Sequence, residues 1–507
     1  MLRSQRLTST RRIWSDPRTL RKRMVLHLAL ILVLHNICMQ MLTITNRLTV
    51  ISTKSGRHGV LRQVFTSPRV RSALPQLSPY DVNLILREHE YTHSFSEGCV
   101  KGYDSNQLGS NSPMEDSRTE ATILNTNGFI CGVFDGHGGA ACAQVVSKRL
   151  LRYISTAVQS KELIRNLTSE QEVRSQSFLK CHNDKVDFVS EVRSLYEKSY
   201  QSYLKYLLNE AGDDNDRVNI ITNAFLHLDN DLSKEALDSP SIRTLSVAMS
   251  GAVTCVSLIE GRELYLASTG DCTAVLGSVT DTGQWVAKKL NHEHTTDNIQ
   301  EVRRILDEHP QAERESIIRN ERLLGQLAPL RALGDFRYKW SNDILQKVVV
   351  PTFGEMSVPP NYYTPPYLTA RPDITHHTLK PNDLFLIVAS DGLWDFLSPT
   401  QAVGLVGEHM AGKGYLEPLK LPSSGVTLEE ILNILEKRKA GRKKKPLDKN
   451  AATHLIRNAL GGTEYGIEHS KLSHLLSLPQ DVVRLFRDDI TITVVYFNQE
   501  YLKKPHF

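Results

Sequence analysis

Cysteine is scarce in this chain, and its few cysteines show no pairing pattern. The seven cysteines among 507 residues are scattered and odd in number, and no two form a Cys-x-x-Cys pair. This distribution argues against a disulfide framework and against a zinc site of the usual spacing. It favours a reducing compartment, where thiols stay free.

Acidic residues are almost absent from the N-terminal region. Residues 1–80 contain 14 Lys or Arg and one acid, Asp16, so they carry +13, whereas the remaining chain carries −8. The mild acidity of that larger part gives no support to nucleic-acid binding. A segment rich in Arg, Ser and Thr and poor in acids is typical of a mitochondrial transit peptide. We therefore predict a basic transit peptide at 1–72 and a folded domain at 73–507.

Long uninterrupted hydrophobic runs are also missing. Residues 24–42 are apolar at 15 of 19 positions, but His27, His35, Asn36 and Gln40 interrupt them. The segment is near the length that spans a bilayer, and basic residues precede it. A membrane segment at 24–42 is therefore an alternative to a presequence that directs the chain to the mitochondrial matrix.

The most informative motif that is present is Val-Phe-Asp-Gly-His-Gly-Gly at 133–139. It lies between an apolar run, 128–134, that predicts a buried strand and a segment, 140–150, that predicts an amphipathic helix. An Asp at a strand end beside glycines suits a hard metal ion, and the adjacent His can transfer a proton. The alternative is a tight glycine turn in which the Asp caps a helix.

A hard cation needs several oxygen ligands, and further acidic residues stand in similar settings. Asp391 follows one apolar strand, Asp488 precedes another, and Glu115 and Asp116 come shortly before a third. Any one of these sites alone is explained equally well by a polar turn. Four acidic sites at the edges of apolar strands predict a shared metal site.

Seven motifs together resemble the protein phosphatase 2C family of metal-dependent serine/threonine phosphatases, in the family's order. They are Met-Glu-Asp at 114–116, Val-Phe-Asp-Gly-His-Gly at 133–138, Ser-Gly-Ala-Val-Thr at 250–254, Thr-Gly-Asp at 269–271, Arg-Ala-Leu-Gly-Asp at 331–335, Asp-Gly-Leu-Trp-Asp at 391–395 and Arg-Asp-Asp at 487–489. The resemblance implies an α+β fold, a four-layer α-β-β-α sandwich in which helices flank two antiparallel sheets. It also implies hydrolysis of phosphoserine or phosphothreonine.

Four further stretches resemble the mitochondrial subgroup of this family that acts on the pyruvate dehydrogenase complex; they are 103–108, 322–325, 359–370 and 450–457. This resemblance, over about residues 78–498, implies that the substrate is the phosphorylated alpha subunit of pyruvate dehydrogenase. It further implies a partnership with the lipoyl domain of the acetyltransferase core, promoted by Ca²⁺, and a separate regulatory subunit. Two alternatives remain: a general phosphatase tethered to a membrane, and a non-catalytic scaffold of the same fold.

The family resemblance also assigns metal ligands to matching positions. Two Mg²⁺ or Mn²⁺ ions are expected, with Asp135 bridging both and the carbonyl of Gly136 binding one. Asp391 and Asp488 resemble the ligands of the other metal. Two such cations can clamp a phosphate and lower the pKa of an attacking water.

The remaining polar residues of the motifs receive roles by the same resemblance. Glu115 looks like a ligand that reaches a metal directly or through water, and Asp116 is expected to orient metal-bound waters. Asp271 matches an acid that binds a weaker third metal. His137 would protonate the departing serine or threonine oxygen. Asp489 stands where most of the family has Asn, so it is not expected to be a ligand.

One position departs from the family pattern. Family members often carry an Arg four residues before the metal-linked Glu, where it binds the substrate phosphate, but this chain has Asn111 there. A neutral amide cannot form the bidentate charged pair of a guanidinium. We expect Asn111 to lie near the substrate phosphate and to bind it more weakly. Asp335 and Asp395 are expected to hold local turns.

Two insertions are expected within the domain. Residues 341–370 are proline-rich and predict a long exposed loop. Residues 412–450 predict a second, irregular insertion. Its basic run, 437–445, is expected to be a solvated loop, since blocks of like charge are usually exposed.

Overall fold

The computed structural model describes residues 76–126, 128–169, 178–183, 188–212, 216–419, 427–442 and 445–504. The predicted transit peptide and the stretch 24–42 lie outside these residues. Within them, no helix combines the length and the apolar character that a membrane crossing requires. The described residues belong to one compact unit, Leu74–Phe507.

The strands, in chain order, are β1 Tyr91–Ser94, β2 Val100–Leu108, β3 Ser117–Ile123, β4 Gly128–His137, β5 Leu179–Cys181, β6 Gly251–Glu260, β7 Glu263–Thr269, β8 Thr273–Val279, β9 Trp285–Lys289, β10 Ile318–Arg319, β11 Arg322–Leu323, β12 Leu333–Gly334, β13 Asp373–Thr378, β14 Asp383–Ala389, β15 Gly462–Thr463, β16 Gly466–Ile467 and β17 Ile490–Phe497. One sheet has the order β1-β2-β17-β14-β8-β9. The other has the order β13-β7-β6-β4-β3-β5, with β12 added beside β6. The pairs within both sheets are antiparallel.

The α-helices are α1 Pro79–Arg87, α2 Ala141–Ala157, α3 Lys161–Ser169, α4 Ser190–Asn209, α5 Arg217–Asp238, α6 Ile242–Met249, α7 Ile299–Glu308, α8 Arg314–Ile317, α9 Asn342–Ile344, α10 Val350–Phe353, α11 Asp391–Trp394, α12 Pro399–Met410, α13 Leu428–Arg442, α14 Ala451–Gly461, α15 His469–Leu476 and α16 Gln499–Lys503. Helix α1 begins at a capping box in which Ser78 and Asp81 satisfy each other's backbone N–H groups.

Strand β14 shows how the layers are built. Its side chains alternate between two hydrophobic cores, as the two-residue period of a strand requires. Leu386 and Val388 join the core that includes the second sheet and helices α2 and α5. Phe385 and Ile387 join the core beneath helices α12 and α14. The predicted sandwich of two antiparallel sheets flanked by helices is confirmed.

The expectation of a long exposed loop at 341–370 was wrong. The segment contains α9, a π-helical turn at Leu345–Val349, α10 and a 3₁₀ turn at Glu355–Ser357. Tyr362 and Tyr367 are buried, and the Tyr362 hydroxyl donates to the Trp340 carbonyl at 2.6 Å. Proline limits helix length but says nothing about burial, and these aromatic side chains anchor the segment to the core.

The second insertion is not irregular throughout, because helix α13 occupies Leu428–Arg442. The first part of the basic run, 437–442, therefore lies in a helix rather than in a loop. Leu, Glu, Lys and Arg dominate this stretch, and all four favour helix formation. Local propensity accounts for the difference.

One buried ion pair joins helices α2 and α5. Arg149 makes two hydrogen bonds to the Glu235 carboxylate, of 2.7 and 2.8 Å, and its guanidinium lies 4.1 Å from the ring centroid of Tyr196. Glu235→Ala should lower the free energy of unfolding by about 3 kcal/mol, because it leaves a buried charge unpaired. Urea denaturation measures this loss. The control is Glu308→Ala, which breaks an exposed ion pair with Arg304. It should change the free energy of unfolding by less than about 0.5 kcal/mol.

Candidate active site

Strand order gathers three acidic residues at one edge of the first sheet. Asp391 follows β14, Asp271 lies shortly before β8, and Asp488 lies shortly before β17. Because β14 is antiparallel to both neighbours, its end lies beside their beginnings, and Ala389 pairs with the first residue of β8 and with the third residue of β17. Three acids distant in sequence thus share one sheet edge.

The second sheet brings further acidic residues to the same place. Asp135 lies near the end of β4, and Asp116 directly precedes β3, whose first residue pairs with the residue before Asp135. A side chain on Gly136 would meet the carbonyl oxygen of Glu115 at 2.3 Å. Only glycine allows the backbone of Glu115 to approach β4 so closely.

The acids of this cluster act strongly on one another. Desolvation and the negative charges of Asp116 and Asp391 raise the pKa of Asp135 well above its usual range. Desolvation and the charges of Asp271 and Asp488 do the same to the pKa of Asp391. Carboxylates crowded in a poorly solvated site need positive partners if all are to remain ionised.

Asp116 and Asp271 differ from these two in their surroundings. Burial and the charge of Asp489 raise the pKa of Asp116 to about 7, although the Ser390 hydroxyl donates to its carboxylate at 2.8 Å. Desolvation raises the pKa of Asp271, and the nearby charge of His137 opposes that shift. The hydrogen bond from Ser390 thus fixes Asp116, whereas Asp271 lies near His137.

The donor set suits a hard divalent cation. The Oδ1 atom of Asp391 is buried and has no hydrogen-bond partner within the described part of the chain. Across the same residues, no three His, Cys, Asp or Glu side chains converge into a complete ligand group. Mg²⁺ usually keeps several waters and takes only one or two protein carboxylates. An unpaired carboxylate oxygen among mutually repelling acids fits such an ion.

Asp489 organises the loop that carries Glu115. Its carboxylate accepts hydrogen bonds from the backbone N–H groups of Ser110, Asn111 and Glu115, at 2.5, 2.9 and 2.8 Å. Desolvation would raise the pKa of Asp489, but these donors outweigh it and lower the pKa. The Glu115 carboxylate in turn accepts from the Gly139 N–H at 2.7 Å. Asp489 thus supports the site through the backbone, a role that the sequence did not suggest.

His137, at the end of β4, is held by an acid that sequence reasoning missed. Its Nε2 atom lies 2.5 Å from Oδ2 of Asp335. Desolvation lowers the pKa of His137, but the charge and hydrogen bond of Asp335 outweigh it and raise the pKa. Asp335, expected only to hold a local turn, therefore orients a histidine and favours its protonated form.

Two glycines make this contact possible. Gly251, the first residue of β6, pairs with His137 on one side and with Gly334 on the other. A side chain on Gly251 would meet Nε2 of His137 at 2.2 Å and Oδ2 of Asp335 at 2.3 Å. Gly334 has φ +71°, and the Asp229 carboxylate accepts its N–H at 2.9 Å. The glycine at 334 directly before an Asp was the sequence signal for this tight turn.

Crowded carboxylates beside a histidine that favours its protonated form define a site for metal-dependent hydrolysis. Comparisons with known proteins identify the family. The family model "Protein phosphatase 2C" matches residues 188–424. The [Pyruvate dehydrogenase [acetyl-transferring]]-phosphatase 1, mitochondrial, of Bos taurus is 41% identical over 464 residues, 86% of each chain. The Homo sapiens phosphatase 2 of that name is 40% identical over 451 residues, 84% of each chain.

A solved serine-threonine phosphatase 2C from Toxoplasma gondii aligns with 81% of this chain and 98% of its own, at 15% identity and a TM-score of 0.40. The family assignment rests on the sequence matches. The chain belongs to the protein phosphatase 2C family. It is a metal-dependent protein serine/threonine phosphatase, in a family that depends on Mg²⁺ or Mn²⁺. The resemblance to the pyruvate dehydrogenase phosphatases is confirmed, and a non-catalytic scaffold is not supported.

Proposed function

We propose that this phosphatase removes phosphate from phosphoserine of the pyruvate dehydrogenase alpha subunit and so reactivates the complex. The observation that carries the proposal is the 41% identity, over 86% of both chains, to a phosphatase named for that substrate. The identity extends far beyond the seven family motifs. The alternative, a general phosphatase tethered through residues 24–42, predicts equal activity on unrelated phosphoproteins.

The metal-binding residues of the proposed site are those gathered at the sheet edges. Asp135 would bind both cations, with the Gly136 carbonyl on one and Asp391 and Asp488 on the other. Glu115 would complete the shell directly or through water. When bound, a pair of divalent cations supplies positive charge to the phosphoryl group and lowers the pKa of a water.

The other polar residues of the site position protons and ligands. Asp116, fixed by Ser390, orients water near the cations. His137, held by Asp335, donates a proton to the departing serine oxygen. Asp271 would bind a weaker third cation. Asn111, beside Glu115, would lie near the substrate phosphate.

We propose docking to the lipoyl domain of the acetyltransferase core, promoted by Ca²⁺, and control by a separate regulatory subunit. The relatives are named as mitochondrial, and we propose the mitochondrial matrix for this chain. Imaging of the tagged full-length chain, with and without residues 1–70, tests this. Loss of mitochondrial import as the sole effect supports the matrix, whereas membrane localisation that depends on 24–42 contradicts it.

The decisive experiment is phosphate release from phosphorylated pyruvate dehydrogenase complex by the purified full-length chain. We expect release that requires Mg²⁺ or Mn²⁺, stops on chelation and accelerates when Ca²⁺ and the lipoyl domain are both present. Phosphorylated casein is the matched control for a general phosphatase. Equal rates on both substrates, with no response to the lipoyl domain, would contradict the proposed substrate.

A further inference from the structure

Binding of the substrate phosphate calls for a cationic donor, and the position that supplies one in many relatives is neutral here. The amide of Asn111 is already engaged, since its Nδ2 atom donates to the carboxylates of Glu115 at 3.2 Å and Asp489 at 3.1 Å. These bonds hold the loop that carries Glu115. They leave no donor of Asn111 directed at a substrate.

A guanidinium from another part of the chain lies at the same group of acids. Nη1 of Arg484 is 3.3 Å from Oε2 of Glu115 and 3.0 Å from Oδ1 of Asp488. Arg484 thus contacts the Glu that Asn111 also contacts. Its side chain is 47% exposed, so the group faces solvent beside the site rather than the protein interior.

The local structure fixes this position. Arg484 lies in a 3₁₀ turn, Val483–Leu485, which is anchored by the buried side chain of Val483. The turn leads directly into Asp488 and β17, so the arginine and a proposed metal ligand belong to one short segment. Within the described contacts only Nη1 of Arg484 is engaged, and a guanidinium carries five N–H donors in a planar fork.

The neighbouring arginine serves a different purpose. Arg487 is buried, and its Nη2 atom donates to the carbonyl of Gly109 at 2.7 Å. It therefore ties β17 to the loop after β2. Of the two arginines in this segment, only Arg484 combines exposure with contact to the acids of the site.

We propose that Arg484 binds the phosphoryl oxygens of the phosphoserine substrate and replaces, from a different element, the guanidinium that many relatives carry at position 111. The inference rests on the proposed phosphatase site. An arginine bonded to carboxylates at the edge of the site can exchange one of those bonds for a phosphate oxygen, and its planar fork suits bidentate binding. The chain thereby keeps a charged phosphate contact while Asn111 organises Glu115.

Arg484→Gln tests this directly. We expect the KM for a phosphoserine peptide and the inhibition constant of inorganic phosphate to rise about tenfold, as loss of a charge-assisted hydrogen bond implies. Calorimetric titration of the Mg²⁺-loaded full-length chain with inorganic phosphate should show the same weakening. The Mg²⁺ concentration for half-maximal activity should stay equal or fall, because the substitution removes a positive charge beside the proposed metal ligands Glu115 and Asp488.

Two further variants make the test specific. Asn111→Arg added to Arg484→Gln should recover most of the phosphate affinity, since it returns a guanidinium to the same phosphate. Arg314→Gln removes an exposed arginine that pairs at 3.0 Å with Asp307 outside the site, and it should change nothing. Unchanged phosphate affinity in Arg484→Gln would overturn the inference and leave the arginine as a counter-charge for Glu115 and Asp488.

Failure of the proposed site gives a different result. In that case the unaltered chain would release no phosphate from the peptide in Mg²⁺. The calorimetric titration would still report whether Arg484 binds inorganic phosphate, because it requires no turnover. Unchanged binding there overturns the inference whatever the activity, and weakened binding supports it.

Discussion

Asp135→Asn should reduce phosphate release from a phosphoserine peptide on the order of a thousandfold. Asp135 lies near the end of β4, and the charges of Asp116 and Asp391 act on it. An amide keeps the shape of the side chain but removes the charge that binds a cation. Metal ions supply several kcal/mol of transition-state stabilisation, and each 1.36 kcal/mol corresponds to tenfold in rate. Steady-state kinetics in saturating Mg²⁺ measures the loss.

Thermal melting separates this effect from misfolding. In chelator, Asp135→Asn should melt at the same temperature as the unaltered chain or higher, because one of several mutually repelling carboxylates has gone. Mg²⁺ should stabilise the unaltered chain and have much less effect on the variant. Asp307→Asn, at an exposed carboxylate outside the site, is the control. Full activity of Asp135→Asn after chelation would refute the metal mechanism.

Asp335→Asn should lower the kcat for a phosphoserine peptide by about tenfold to a hundredfold. Asp335 accepts the Nε2 hydrogen of His137 at 2.5 Å and favours the protonated ring. General acid catalysis contributes about 10² to 10⁴ in rate, and loss of the orienting charge should remove part of that. The KM should change little, because neither side chain is proposed to bind the phosphate.

The choice of substrate makes this prediction specific. A serine alkoxide is a poor leaving group and needs the proton from His137, whereas p-nitrophenolate leaves without one. Asp335→Asn should therefore slow the peptide much more than p-nitrophenyl phosphate, and His137→Gln combined with it should add little. Glu263→Gln, at a His376 pair of the same 2.5 Å length, should affect neither substrate. Equal slowing of both substrates would show that Asp335 only maintains the fold.

Local sequence patterns predicted several elements of the fold. Apolar runs of the right length predicted strands β4, β14 and β17. They succeeded because these elements bury side chains at the spacing of their own secondary structure. The prediction of an exposed loop at 341–370 was wrong, because the burial of Tyr362 and Tyr367 depends on distant partners such as Trp340.

The amino-acid sequence by itself determined the family resemblance, through the order of its motifs, and that resemblance implied the antiparallel sandwich. It also placed acids at the ends of apolar strands, because an apolar run is a local feature of the chain. Only the tertiary structure decided which of those groups meet. Asp335 reaches His137 because β12 joins β6 on the side away from β4, across Gly251. Arg484 reaches Glu115 because β17 lies beside β2. Pairing between strands that lie 83 residues apart, as for Gly251 and Gly334, or 382 residues apart, as for Leu108 and Ile490, leaves no periodic trace in the chain. These contacts therefore followed from the fold alone.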